Sequence, residues 1–158
     1  MKKVRIIVAL ALAIAVCPVL KGQSPSQEAS ERARSDQLRA AVQQICPVSG
    51  NRLGEHGAPV KVKVGKEEVF LCCKGCLHGK IDAKHWATIH ANFAKAQTQC
   101  PVMKRPLPKN PKWTIVEGRI VYVCCPPCIK KIEADPKTYL KMVDASYAAS
   151  IKKRAATR

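Results

Sequence analysis

The stretch "VYVCCPPCIKK" (Val121–Lys131) ends a β-branched run on two adjacent cysteines and adds a third three residues later. "VFLCCKGCLHG" (Val69–Gly79) does the same earlier in the chain. Working outward, Cys72-Cys73-x-x-Cys76 returns as Cys124-Cys125-x-x-Cys128 after 52 residues. Upstream, Cys46-Pro47-Val48 returns as Cys100-Pro101-Val102 after 54 residues. Self-similarity at this period marks a tandem repeat of one structural unit.

Between its two cysteine landmarks each copy holds a pair of β-branched runs around a glycine turn. In copy one they are "VKVKV" and "EEVFL" around Gly65-Lys66; in copy two, "WTIV" and "RIVYV" around Glu117-Gly118. Each pair predicts a β-hairpin that delivers its cysteines at the end of the second strand. Helix is expected after each triplet. Asp135 followed by Pro136 fits an N-cap and first helical position, with helix from Lys137 to about Lys152. In copy one Asp82 caps "AKHWATIHANFAKAQ", where Trp86, Ile89 and Phe93 recur at helical spacing. The fold class is α+β, two small tandem ββα modules preceded by a surface helix. That helix is expected within residues 23–45, capped by Ser24 or Ser26 after the leader "GQSPSQ", with a weak face of Ala29, Ala33, Leu38, Ala41, Val42 and Ile45. The modules occupy residues 46–98 and 100–150, and the basic end, residues 151–158, is expected to fray.

The first residues read differently. A basic start, Lys2, Lys3 and Arg5, precedes an unbroken apolar run from Ile6 to Cys17, broken at Pro18. This is the layout of a secretory signal covering residues 1–22, too short to span a bilayer as a helix. It predicts a periplasmic or secreted protein. Contact with the membrane would need lipidation at Cys17, whose bulky neighbour Val16 disfavours it. Removal of residues 1–22 takes Lys2, Lys3, Arg5 and Lys21 and no acid, so the formal charge falls from +17 to +13 and eight of nine cysteines remain. The lysines are scattered over strands and helices and the signal removes the chain from the cytoplasm, so no nucleic-acid partner is expected. Lysines beside the triplets, Lys74, Lys130 and Lys131, are placed to favour thiolates.

Eight cysteines in an exported chain can pair as disulfides, and Cys-x-x-Cys can exchange them. Metal is favoured because each copy holds a two-residue knuckle plus a lone Cys-Pro-Val, four sulfurs from two places in the chain. Adjacent strand residues face opposite ways, so Cys72 and Cys73 share an ion only if the strand ends between them. Two sets remain open in copy one: Cys46, Cys73 and Cys76, or Cys46, Cys72 and Cys76 with Cys73 spare or completing a four-sulfur site. Three thiolates suit copper(I) or an open zinc site; four suit closed structural zinc.

These residues resemble the YHS domain and the related TRASH domain, small cysteine-rich metal-binding modules. Copy two matches that pattern at Gly118, Tyr122, Cys124, Cys125, Cys128, Asp135, Pro136 and Tyr139. Copy one matches at Gly65, Phe70, Cys72, Cys73 and Cys76, but Ala83-Lys84-His85-Trp86-Ala87 replaces the Asp-Pro-x-x-Tyr stretch. The resemblance covers residues 46–98 and 100–145. It implies treble-clef-like modules for heavy-metal binding, trafficking or resistance, with a metal-transport or envelope protein as partner. It also implies ligation by Cys46, Cys72 and Cys76, then Cys100, Cys124 and Cys128, with Cys73 and Cys125 auxiliary. His56, His78, His85 and His90 all lie in copy one; His78 is close enough in sequence to approach an ion, but Lys130 stands in its place in copy two. Met103 offers a thioether or simple cover. No catalytic constellation accompanies the cysteines. The expectation is an exported binder of zinc or copper, one ion per module; a disulfide-stapled secreted module or thiol-redox protein is the alternative.

Overall fold

The computed structural model describes residues 25–157. The expected signal segment, Ser24 and Cys17 lie outside those residues. The described chain is α+β: α1 (Pro25–Gln43), hairpin β1–β2 (Val60–Val64, Glu67–Leu71), a short 3₁₀ helix (Lys74–His78), α2 (Ala83–Gln97), hairpin β3–β4 (Lys112–Val116, Arg119–Val123), α3 (Pro127–Ala134) and α4 (Pro136–Ala156). No helix among the described residues is long and apolar enough to cross a membrane.

Both hairpins pair antiparallel through two-residue turns, Val64 opposite Glu67 and Val116 opposite Arg119. Their turn chemistry differs. Gly65 alone has positive φ (60°) in the first turn, whereas Glu117 (50°) and Gly118 (74°) both do in the second. Left-handed φ at such positions gives a turn whose twist matches the strands. Gly118 is constrained a second time, because the Glu68 amide donates to its carbonyl at 2.7 Å and an added Cβ would sit 2.6 Å from Glu68 Cγ. The two hairpins meet there.

Buried Arg39 of α1 ties this junction to the helices. Its guanidinium donates to the Glu68 and Gly118 carbonyls and to the carboxylates of Asp36, at 3.2 Å, and Glu68, at 3.4 Å. Those four bonds satisfy a charge that burial alone would penalise. So α1 is a surface helix over its first turns and packs inward at its end: Ala29, Ala33 and Ala41 of the expected apolar face are exposed, while Arg39, Val42 and Gln43 are buried.

Most of the core is shared between the modules. Val42 of α1, Ile89 and Phe93 of α2, Ile120 to Val123 of β4, Ile132 of α3 and Val143 and Tyr147 of α4 form one buried cluster. The Phe93 and Tyr147 rings lie 5.8 Å apart within it. The first module keeps a separate cluster whose buried members are only Cys46, Leu71 and Cys72. So small an apolar group contributes little on its own.

Two helix expectations change in extent. Asp135 accepts from the Thr138 amide and opens α4 as expected, but α4 runs to Ala156, so most of the end expected to fray is helical. Arg154 near its last turn donates to the Ala41 carbonyl at 3.3 Å, satisfying a carbonyl near the end of α1 and favouring the negative helix terminus. After the triplets, copy two forms the α-helix α3 while copy one forms only the 3₁₀ turn. Pro127 is preset for a first helical position, whereas Gly75 in the matching place disfavours helix.

Candidate metal centres

Each lone cysteine sits in a tight turn after a helix, built the same way twice. The Cys46 amide donates to the Asn51 carbonyl at 2.8 Å, and the Gly50 amide to the Cys46 carbonyl at 3.0 Å. The Cys100 amide donates to the Arg105 carbonyl at 2.9 Å, and the Lys104 amide to the Cys100 carbonyl at 2.8 Å. Gln44 and Thr98, two residues before these cysteines, break their helices with φ of 69° and 59°.

The triplets begin where strands stop. β2 ends at Leu71 and β4 at Val123, so strand alternation does not govern the adjacent cysteines. In each module the first and third members of the triplet join the lone cysteine. Among the described residues, Cys46, Cys72 and Cys76 have sulfurs within 4.8 Å of one another, as do Cys100, Cys124 and Cys128. Two triads are thus positioned to hold a metal ion, one per module. Sulfurs around one ion at about 2.3 Å stand about 3.8 Å apart in tetrahedral and about 4.0 Å apart in trigonal geometry. The Cys72–Cys76 and Cys124–Cys128 separations are 3.7 and 4.0 Å, so these pairs need little movement to ligate. Cys73 and Cys125 stand beside the triads, 3.9 Å from Cys72 and 3.8 Å from Cys124, and Cys125 also lies 3.1 Å from Cys128.

Two residues that the motif reading passed over hold this geometry. Gln43 and Gln97 are fully buried. The Gln43 amide oxygen accepts from the Phe70 N–H at 2.9 Å, and its nitrogen donates to the Phe70 carbonyl at 2.6 Å and the Ile45 carbonyl at 2.8 Å. Gln97 repeats this with the Tyr122 N–H at 2.9 Å, the Tyr122 carbonyl at 2.6 Å and the Gln99 carbonyl at 3.0 Å. Each glutamine therefore pairs with the strand as a neighbouring strand would. It lies three residues before the lone cysteine, and its strand partner two before the triplet, so one side chain clamps both halves of a centre. The signal was present in the sequence: "QQICPV" and "QTQCPV" both carry glutamine three positions before Cys-Pro-Val.

The sulfurs sit in unequal surroundings. At Cys46 burial works against the thiolate, but hydrogen bonds from the Ser49 and Cys72 amides and the Ser49 hydroxyl overcome it and bring the thiol down to about 6. Burial, then the neighbouring sulfurs of Cys72 and Cys46, pushes Cys76 up to about 12. The Gly75 amide lowers Cys73. In module two the Cys128 thiol lowers Cys125, while burial raises Cys128. In each module one sulfur is thus shifted toward the thiolate and its neighbour toward the thiol, and the lowered sulfur is a triad member, Cys46, in the first module but the adjacent Cys125 in the second.

The histidines do not enter either triad. His78 is exposed, His85 lies 3.9 Å from Asp82, and His90 lies 3.2 Å from Glu67 between Trp86 and Trp113. Met103, also exposed, takes in copy two the position of Ser49, whose hydroxyl lies 3.4 Å from Cys72 Sγ. Comparison with family models, with curated proteins and with solved structures finds no match to the chain.

Proposed function

We propose that this chain is an exported metal binder that holds zinc or copper in each of two three-cysteine centres and works as a carrier or buffer, not a catalyst. The observation that carries this reading is the convergence of three thiols in each module at separations suited to one ion. None of the eight described cysteines is in a disulfide, and the three sulfurs of each triad face one point between them. Three thiolates with a fourth position open favour a held but exchangeable ion, the property a carrier needs, and a metal-transport or envelope protein is the matching partner class. The resemblance to YHS and TRASH modules points the same way, as does the export signal expected in residues 1–22.

The test is to load reduced full-length protein with zinc or copper(I), remove excess, and count metal and alkylatable thiols. About two ions per chain with six thiols protected are expected from two triads. Protein that stays metal-free under both loadings would sink the reading.

A further inference from the structure

We propose that Cys125 and Cys128 form a redox-active dithiol, and that its closure to a disulfide empties the second centre while the first stays filled. The emptying rests on the metal reading above; the dithiol does not.

The geometry of the second triplet carries the proposal. Cys125 and Cys128 Sγ lie 3.1 Å apart, closer than Cys124–Cys128 at 4.0 Å, Cys124–Cys125 at 3.8 Å or Cys72–Cys76 at 3.7 Å. A disulfide bond is about 2.05 Å long, so closure needs only about 1 Å of approach. The intervening Pro126 and Pro127 hold the turn. Pro126 is helical (φ −57°, ψ −39°), Pro127 opens α3, and the Cys128 amide donates to the Cys125 carbonyl at 3.2 Å. With both φ angles restricted by rings, little chain entropy is lost on closure. The first module has Lys74-Gly75 in the same place, and Cys73 is fully extended (φ −161°, ψ 170°), with Cys72 Sγ 3.9 Å from its thiol. The Cys76 amide donates to the Cys73 carbonyl at 3.3 Å as in the second module, so it is the glycine link, free of ring restraint, that leaves this pair less prepared.

Access sets the order of events. Cys125 is half-buried beside exposed Pro126 and Pro127, whereas Cys128 is 2% exposed. With a small-molecule disulfide as oxidant, the Cys125 thiolate attacks one of its sulfurs, its S–S bond breaks, and one half leaves as thiolate. Cys128 then attacks Cys125 Sγ in the mixed disulfide and expels the second half. The protein loses two electrons and two thiol protons; the small disulfide becomes two thiols. Cys128 is a member of the second triad, and a disulfide sulfur is no thiolate ligand, so Cys100 and Cys124 remain alone. The first triad does not include either sulfur of this pair.

The experiment equilibrates zinc-loaded and metal-free full-length protein with glutathione buffers of rising oxidised fraction. Differential alkylation with peptide mass mapping then locates disulfides, and bound zinc is counted. The Cys125–Cys128 disulfide is expected first in both samples, with loss of about half the zinc. Cys125→Ser is expected to keep all its zinc at that poise, and the control Cys73→Ser to lose half, as the parent does. Oxidation of Cys73–Cys76 at the same or a milder poise overturns the proposal, as does zinc loss from Cys125→Ser equal to that of the parent. If reduced protein takes up no zinc, the metal reading and the gating fall, and the map of the metal-free sample alone decides the dithiol.

Discussion

The side-chain amide of Gln97 closes both backbone hydrogen-bonding groups of Tyr122, donating to its carbonyl at 2.6 Å and accepting from its N–H at 2.9 Å. Gln43 does the same for Phe70. Cys100 and Cys124 flank the first pair as Cys46 and Cys72 flank the second, so each glutamine positions the cysteines of a candidate centre. Gln97→Leu leaves two buried backbone groups unpaired, each costing about 1–3 kcal/mol. It should lower the chemical-denaturation midpoint of metal-free protein and weaken zinc retention at the second centre while sparing the first. In Gln97→Glu an ionised carboxylate would be buried against the Tyr122 and Gln99 carbonyls, so a loss at least as large as that of Gln97→Leu is expected.

The triads divide the cysteines of each triplet into unequal classes. Cys46→Ser or Cys100→Ser should reduce bound zinc by about half, since each removes one thiolate from one centre. Cys73→Ser should retain both ions. Metal counting on the purified variants decides this, and equal losses from Cys73→Ser and Cys46→Ser would mean four-sulfur ligation in the first module.

Metal removal should be felt unevenly. The cluster under β1–β2 has three buried members, two of them cysteines, while β3–β4 packs into the large core with residues of α1, α2 and α4. Stripping the metal with a chelator under reducing conditions should raise amide hydrogen exchange in β1, β2 and the turn at Cys46 first. Faster exchange confined to β3 and β4 would contradict this order.

The reduced, metal-free protein should show a stability maximum near pH 9. Cys46 is lowered from 9 to about 6 in the folded state, so its contribution is complete above 9 and is lost as pH falls through 6. Cys76 is raised from 9 to about 12, so its contribution is present below 9 and is lost as pH rises toward 12. Cys125 and Cys128 shift in the same two directions in the second module. Urea midpoints measured from pH 6 to 10 should therefore rise and then fall. A midpoint flat between pH 6 and 9 would show that Cys46 is not held as thiolate.

Gly118 and Gly65 separate two reasons for glycine. Both have positive φ, but an added Cβ at Gly118 meets Glu68 Cγ at 2.6 Å, whereas at Gly65 it meets nothing within 4 Å. Gly65→Ala should lose about 1 kcal/mol for the left-handed backbone alone. Gly118→Ala should lose more, because the hairpins must also separate. Thermal unfolding of the two variants provides the comparison.

Much of this was legible beforehand because the signals are local. Alternating β-branched runs around Gly65 and Gly118 marked both hairpins. Asp82 and Asp135 marked two helix starts, since a cap acts within three residues of itself. The repeated cysteines marked both centres. Less legible were α1's buried end and the helical finish of α4. Arg39 is charged and looks like surface, yet its partners Glu68 and Gly118 lie 29 and 79 residues away. Arg154 reaches Ala41 across 113 residues.

The sequence by itself determined the repeat, the hairpins that carry each triplet, and the eight sulfurs available to two centres, because each depends on residue type and short spacing. Spacing left open which of those sulfurs converge, and the tertiary structure brings together the six that the resemblance implied. That choice depends on where β2 and β4 end and on two buried glutamines that bond to strands 27 and 25 residues away. It also set the second triplet apart from the first, where Pro126 and Pro127 bring Cys125 within 3.1 Å of Cys128. Spacing counts residues along the chain; ligation depends on the direction in which each sulfur leaves the backbone, and only the assembled helices and hairpins set that direction.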